Sequence, residues 1–515
     1  MPRASWSGDV SRKIVRRIVV EGDLILQTPA HLGNGDGNDL IDMPLLTDPL
    51  DRQTPLLTGA SIAGALRSYL REREHGFRAK IGIPGDTGAK SPVSASILLF
   101  GSNKGYKYGE QSPLIVEDAR GKDATIELRD GVRLAGKSRT SAEDALFTIE
   151  MWEAGTTFPL RFELVVRERD TASELKRALA TALAGFNDGS ITIGARKRRG
   201  YGQVRVAEWR IKEYDLTKIP QLLDWIENGA QALHVPTVTD IAQAFGVGEL
   251  ITDRRRSFHL EAKFSLDGSL LIRSGSGPDI EQANANDAEI VRPDTMHLHS
   301  WRPASSLVDK RERRPVLPGT SLAGALRARA FKIARLLVPP TDAGEKKARE
   351  LIDGMFGADM EIDKKPAGSR VHVYEQVVSV SDVGSMLVQN RVSIDRFTGG
   401  TRDGALFNEQ PLLGGAQSVV MMELQLENPR AYEIGLLLLL LKDLWTGDLP
   451  LGGEIAVGRG RLRGKSCELV YQNGQERSWA LIANGVNGLK VEQGNPGELE
   501  QYVMELHTHL VGSKP

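Results

Sequence analysis

Cysteine is nearly absent from this sequence of 515 residues, with Cys467 standing alone. That excludes a disulfide framework within the chain and a cysteine-based zinc site, and it fits a reducing compartment. Long apolar runs are missing as well. The longest, Leu436 to Leu441, falls far short of a membrane span. The opening, Met1-Pro-Arg-Ala-Ser-Trp6, carries no apolar signal core. The expectation is a soluble protein of the cytoplasm with no membrane partner. Net charge is scarce too: 66 basic and 67 acidic residues leave a formal charge of −1. Global electrostatics therefore gives no pull toward a polyanion, and a nucleic-acid surface has to come from local clusters. With 40% hydrophobic and 26% charged residues, the chain has apolar material for more than one core.

The strongest internal signal is repetition. Thr58-Gly-Ala-Ser-Ile-Ala-Gly-Ala-Leu-Arg67 returns as Pro318-Gly-Thr-Ser-Leu-Ala-Gly-Ala-Leu-Arg327, 260 residues later. Ala145-Leu-Phe147 returns as Ala405-Leu-Phe407 at the same spacing, and Gly200-Tyr-Gly202 as Gly458-Arg-Gly460 at 258. That period is far too long for a solenoid and predicts two tandem copies of one domain. The boundaries expected are 1–213 for the first copy, 214–256 for a partly structured linker, 257–470 for the second copy and 471–515 for a C-terminal extension.

Each copy mixes strands and helices. Ile14 to Gln27 alternates like a strand, with a break near Gly22. Ser61 to Glu74 places Ile62, Leu66, Tyr69 and Leu70 at helical spacing. Thr171-Ala-Ser-Glu174 reads as a capping box before a helix stopped by Gly185, and Asn428-Pro429 opens a helix stopped by Gly447. Val204 to Ile211 reads as a strand, and Pro496 to Leu510 as a closing helix. The order predicts an α+β fold: two tandem ferredoxin-like βαββαβ domains of the RNA-recognition type.

Several segments carry chemistry. Arg196, Lys197, Arg198 and Arg199 form a basic run framed by glycines, which let backbone amides approach phosphate. Tyr201 beside them is expected to stack on a base. The second copy offers Arg459 and Arg461 at the same place. Gly59 and Ser61, and later Thr320 and Ser321, open helices where free amides favour an anion or a capping role. Polar, Gly-rich segments with Lys137 and Arg139, and with Arg396 and Arg402, suit long hairpins. Gly131-Val-Arg-Leu-Ala-Gly-Lys-Ser138 fits a phosphate-loop pattern, but alternation in Ala124 to Leu128 argues against the buried parallel strand such a loop requires. His297 and His299 read better as a strand face than as metal ligands. Asp36, Asp39 and Asp42 lie in a Gly-rich loop, where aspartate is usually turn chemistry. RNA supplies its own nucleophile, so one placed carboxylate with Mg²⁺ would suffice to cut it.

Ile41-Asp42-Met-Pro44 through Pro49, followed by Gly59-Ala-Ser61-Ile-Ala-Gly64, resembles the N-terminal motif of the RAMP superfamily, and is similar to backbone subunits of type III CRISPR complexes. The glycine segments at 200–202 and 458–460 resemble the family's C-terminal glycine-rich loop. Two copies in one chain resemble a type III-D-like double backbone subunit. The resemblance implies a palm that grips guide (CRISPR) RNA in each copy and a thumb hairpin that splays bases. It implies divalent-metal-dependent cleavage of complementary target RNA, with Asp42 as catalytic residue and metal ligand. Lys137, Arg139, Arg396 and Arg402 would be thumb residues. The implied partners are other type III backbone subunits and the large polymerase-like subunit, in a prokaryotic cytoplasm. In the second copy, constant spacing puts Arg302 or Pro303 opposite Asp42, neither of which can replace an acid; Asp294 is the candidate for a relocated site. A non-catalytic RNA-binding scaffold, or a guide-maturation nuclease using His31, are the alternatives.

Overall fold

A computed structural model describes residues 13–35, 43–79, 94–101, 111–134, 141–273, 293–304, 311–358, 367–381, 384, 386–415, 417–485 and 488–512, with backbone alone at 133, 134 and 141–146. The chain begins its first sheet with β1 (Ile14–Leu26), which pairs antiparallel on both sides. Val20 stands in register with Phe162 of β5 (Thr157–Arg167) and with Ile211 of β6 (Val204–Asp215). A short β2 (Leu114–Val116) completes the order β2–β5–β1–β6. The strand predicted to break near Gly22 runs through it. A Cβ at Gly22 would lie 2.6 Å from the Trp209 ring, and the register slips between Gly22 and Leu24 to accommodate that approach.

Two helices cover one face of this sheet. In α1 (Gly59–His75), Ile62, Leu66 and Leu70 recur at helical spacing and are buried. In α2 (Ala172–Asn187), Leu175, Leu179, Leu183 and Phe186 do the same. Each buried leucine contributes about 1.5–3 kcal/mol of apolar transfer. This helix runs two residues past the expected stop at Gly185, where Tyr69 and Ile191 pack so closely that a Cβ would meet them at 2.7 and 2.8 Å. Its Thr171 N-cap makes no side-chain capping bond.

Residues 214–256 do not hang free between the copies. β6 extends to Asp215, and α3 (Ile219–Asn228) lies across the second face of the first sheet. There Trp225 meets Tyr214 edge-on at 5.2 Å, over Val19 and Leu233. Ile241 and Phe245 insert into the core on the helical side. Both faces of the first sheet are therefore covered, which removes it as an open platform for stacked bases.

The second half repeats the arrangement. β7 (Ser257–Asp267) lies between β14 (Val419–Glu427) and β15 (Arg461–Gln472), with Leu260 opposite Leu424 and Leu469. β10 (Val371–Val373) and β11 (Gln376–Ser379) both pair with β14. Two helices, α4 (Gly319–Leu337) and α6 (Ala431–Trp445), occupy the places of α1 and α2, with α5 (Asp342–Phe356) packed on α4. The sheet continues at one edge through β9 (Arg311–Leu317) and β8 (His299–Pro303), and at the other through β16 (Glu476–Asn484) and β17 (Gly488–Gln493). The closing helix α7 (Pro496–Val511) lies on α6, where a Cβ at Gly435 would meet Tyr502 O at 2.1 Å. The leucine run 436–441 is explained by this sandwich, because α6 is buried between sheet and α7 and needs little polar face.

Outside the main sheets stand two hairpins: β3 (Ile126–Leu134) with β4 (Ser141–Trp152), and β12 (Gln389–Ile394) with β13 (Thr401–Gln410). Gly131 pairs with Phe147 in the first and Arg391 with Phe407 in the second, so the hairpins match residue for residue. The phosphate-loop pattern starts inside β3, an antiparallel hairpin strand, which is the wrong setting for that motif. Among the described residues no helix is long and apolar enough to cross a membrane.

Candidate nucleic-acid interface

The basic segment of the first copy is a tight turn tied to the start of the chain's first loop. Ile193 N donates to Gly202 O at 2.9 Å, Gly202 N to Pro29 O at 2.9 Å, and Ala195 N to His31 O at 2.9 Å. Gly202 has φ +68, and a Cβ there would lie 1.9 Å from Ile193 O, so no other residue fits. Between these anchors lies a single 3-10 turn, Lys197–Arg199, in which Arg198 is half-buried and Lys197 and Arg199 are exposed. Arg196 lies over Phe147 at 4.3 Å and Arg198 over Phe77 at 5.3 Å. Among the described residues none of the four cations forms an ion pair. Burial lowers the pKa of each, and neighbouring cations add to it: Arg198 at Lys197, Arg78 at Arg198, Arg327 at Arg199. Glu72 and Glu427 oppose the shift at Arg198 from beyond ion-pair distance. Crowded, partly desolvated cations with no carboxylate at ion-pair distance cost free energy, which an arriving polyanion relieves.

The turn rests on the second copy. A Cβ at Gly200 would meet Glu375 N at 2.4 Å, and one at Gly319 would meet Arg199 O at 2.4 Å. Gly319 is the first residue of α4, whose N-cap, Pro318, offers no side-chain capping bond. The free amides and positive dipole end of this helix thus lie beside the cation cluster. Thr320 is engaged by the Tyr201 hydroxyl. Tyr201 is only 4% exposed, beneath the Arg129 guanidinium, so it cannot stack on a base as expected from sequence. Behind it, Arg129 donates to both Glu375 oxygens at 3.0 and 3.2 Å, and Arg302 to the same carboxylate at 2.5 Å. Burial alone would raise Glu375; the charges of Arg129 and Arg302 override it and hold the carboxyl below the usual glutamate range. Ser300 Oγ donates to Glu127 at 2.9 Å, extending this buried network between the copies.

The second copy's glycine turn keeps the backbone and changes the chemistry. Ile455–Val457 is again a 3-10 turn, preceded by a left-handed residue (Glu454, φ 58, as Arg196, φ 52) and followed by Gly458 with φ 88, as at Gly200. Its side chains are apolar. Arg459, expected to contact RNA, is buried at 6% exposure, donating to Glu409 at 2.9 Å and Gln389 at 3.0 Å. Arg391 donates to Glu409 as well, and to Glu454. The matching positions of the first copy form an apolar cluster, Ile149 and Tyr201 with Met43 and Phe147. One site is thus filled by an ion network in one copy and by hydrophobic packing in the other. Arg461 remains exposed.

The helix starts differ likewise. Gly59 N donates to Asp118 at 2.6 Å, so the amide expected to meet phosphate is taken. Thr58, not Ser61, caps α1, accepting from Ser61 N at 3.2 Å. Ser321 lies in the first turn of α4, half-buried. In the second hairpin, Asp395 accepts from Phe397 N and Thr398 N at 2.9 Å, a turn that leaves Phe397 99% exposed. Arg396 is exposed beside it, and Arg402 lies 3.7 Å from Asp395. Lys137 and Arg139 lie outside the described residues.

Asp42 also lies outside the described residues. Its successor Met43 bridges Ile149 in parallel, and Leu45 N donates to Glu150 at 3.2 Å. In the second copy Thr295 pairs in parallel with Glu409, the counterpart of Ile149 in the matching hairpins. Gly33 bridges Leu45 as Arg273 bridges His297. By this register Asp294, rather than Arg302, answers to Asp42. Asp294 is exposed, and its Oδ2 accepts from Asn408 N at 2.7 Å. Among the described residues no three His, Cys, Asp or Glu side chains cluster as a metal site. His297 is fully buried, with Nε2 donating to Val316 O at 2.9 Å and Nδ1 accepting from Ile272 N at 3.2 Å, and burial lowers its pKa to about 3. His31 is buried at 4% exposure with Nδ1 at 2.8 Å from Glu150 O.

A sequence model of the RAMP superfamily matches this chain twice, over residues 23–205 and 304–463, more than half of its length. No curated protein sequence matches it.

Proposed function

Because the chain belongs to the RAMP superfamily of CRISPR-associated RNA-binding modules, we propose that it is a double backbone subunit of a type III CRISPR ribonucleoprotein. Each copy is a ferredoxin-like palm with a thumb hairpin, and guide RNA lies along the junction between the palms. The observation that carries this reading is the set Arg196–Arg199, four cations that form no ion pair among the described residues, placed beside the uncapped start of α4. Phosphates supply the missing charge and accept the free amides. The exposed Phe397 and Arg396 suit insertion between bases displayed above the groove.

Target cleavage follows from placing a carboxylate at the scissile step. In that reaction the ribose 2′-OH attacks the adjacent phosphorus in line, and the bond to the leaving 5′ oxygen breaks. Asp42 and Asp294 are the two candidates, one per copy. Their common register supports equal roles, and Asp294 has one carboxylate oxygen held by Asn408 N while it faces solvent. A single exposed carboxylate together with substrate phosphate fits Mg²⁺ binding, and the bound ion would relieve charge on the phosphate. Labelled complementary RNA and Mg²⁺, added to the assembled complex, test this directly. Asp42→Ala removes one set of cuts and Asp294→Ala another, a fixed distance away. If both variants cut as the parent does, the chain is a non-catalytic scaffold.

A further inference from the structure

The basic turn has an inner side. Arg198 Nη1 is enclosed and has no hydrogen-bond partner among the described residues. Two further enclosed atoms share that state, Glu427 Oε2 at the end of β14 and His372 Nε2 on β10, and both residues lie within electrostatic reach of Arg198. Enclosed polar atoms are rarely left unpaired, and here an unmatched donor and unmatched acceptors converge on one seam.

The groups around Glu427 decide what it can do. Its Oε1 accepts from Gln425 Nε2 at 2.9 Å, so one carboxylate oxygen is engaged and the other is not. Glu72 faces it from α1, Arg198 from the turn, and Asp253 with Arg255 from the segment joining the copies. Asp253 and Arg255 pair with each other at 2.6 Å and largely cancel. Tyr374, after β10, donates to Gln425 at 3.3 Å, and Arg370, ahead of β10, donates to the Glu427 carbonyl at 3.2 Å. Burial raises the Glu427 carboxyl above the usual glutamate range; Arg198 and Arg255 oppose that, while Glu72 and Asp253 add to it. His372 sits differently: burial lowers its pKa, and Arg198 and Lys197 lower it further, so it stays neutral. Arg198 is thus the cation from the turn that helps keep Glu427 ionised. A phosphate on the turn offsets that cation and brings a negative charge of its own toward the carboxylate.

We propose that RNA binding at the basic turn draws one proton from solvent onto Glu427 Oε2, so that the seam between the copies couples RNA binding to pH. The inference rests on the reading of this turn as an RNA contact. An O–H bond forms at the orphaned oxygen, which becomes a donor, and the carboxyl loses the charge that the phosphate would repel. Glu427 touches no RNA; it acts through Arg198.

Calorimetric titration of the full chain, cleared of nucleic acid by nuclease and high salt, tests this with a single-stranded RNA of mixed sequence. Buffers of different ionisation enthalpy count the protons exchanged. The parent takes up protons, and its affinity rises as pH falls from about 8 to about 5.5, by up to about tenfold per pH unit. Glu427→Gln, neutral like the protonated acid, binds more tightly than the parent at the alkaline end and loses the pH slope. His372→Gln keeps it. Glu72→Gln, at a half-buried helix position, removes a like charge and moves the slope to lower pH, which keeps the test open should Glu427→Gln fail to fold. Binding without proton uptake overturns the inference, as does uptake that survives Glu427→Gln or a slope that Glu72→Gln leaves in place. A chain that binds no RNA at any pH strikes the backbone reading first, and this inference with it.

Discussion

At the scale of single residues, Glu375 holds the two copies together. It sits between Arg129 and Arg302, fully buried, and removing it leaves Arg302 without a carboxylate and Arg129 with Glu127 alone. Glu375→Ala is therefore expected to cost about 3–5 kcal/mol, read as a lower urea midpoint. Its pKa is held below the ordinary glutamate value of 4.5. The stabilising share of such a group is present above 4.5 and is lost as pH falls through the lower folded value. His297 works over a different window. Its folded pKa of about 3 lies below the ordinary 6.5, so its share is complete above 6.5 and fades as pH falls toward 3. A urea series from neutral pH downward should show stability falling from about pH 6.5, where His299 and His372, also lowered by burial, add to the effect, and His297→Gln should remove part of that decline. Tyr201 and Arg459 show what single positions conceal. They are adjacent to glycines in sequence and look exposed, but Arg129 and Thr320 bury one, and Glu409 and Gln389 bury the other. Their partners are distant in the chain, and no local pattern announces them.

At the scale of elements, the two glycine turns share a backbone and differ in side chains, which makes a clean exchange available. Replacing Lys197, Arg198 and Arg199 by Ile, Ala and Val, the residues at 455–457, is expected to weaken RNA binding. It should flatten the log–log salt dependence by about 0.7 for each phosphate no longer neutralised, as measured by fluorescence anisotropy. The positive φ values and the 3-10 turn are already tolerated by the second sequence in the same conformation. The turns, the helix starts and the hairpins are readable in the sequence because they repeat, and repetition survives where backbone geometry demands glycine. The second acid is harder to read. A constant spacing points to Arg302, whereas strand register points to Asp294, because the segment from Arg273 to His297 is twice as long as that from Gly33 to Leu45. Loops absorb insertions without moving the strands that flank them. The cover on the first sheet leaves no plain sequence signal either, since α3 presents Trp225 inward while Ile219, Leu223 and Ile226 stay exposed.

At the scale of the whole molecule, a nearly neutral chain sets four consecutive cations that form no ion pair among the described residues at the seam between its two copies. The outer face of the first sheet is covered by α3, and that of the second carries mixed charge, with Glu261, Glu423 and Glu468 beside Lys263, Arg461 and Arg463. The Arg129–Glu375–Arg302 network ties the first copy's hairpin to the second copy across this seam. The most direct test is photo-crosslinking of bound RNA to the full chain, with the attached residues mapped by mass spectrometry. The account predicts crosslinks at Arg196–Arg199, at Thr320–Ser321 and at Phe397. Crosslinks confined to the sheet face of 257–267 and 461–472, with none at the seam, would contradict it.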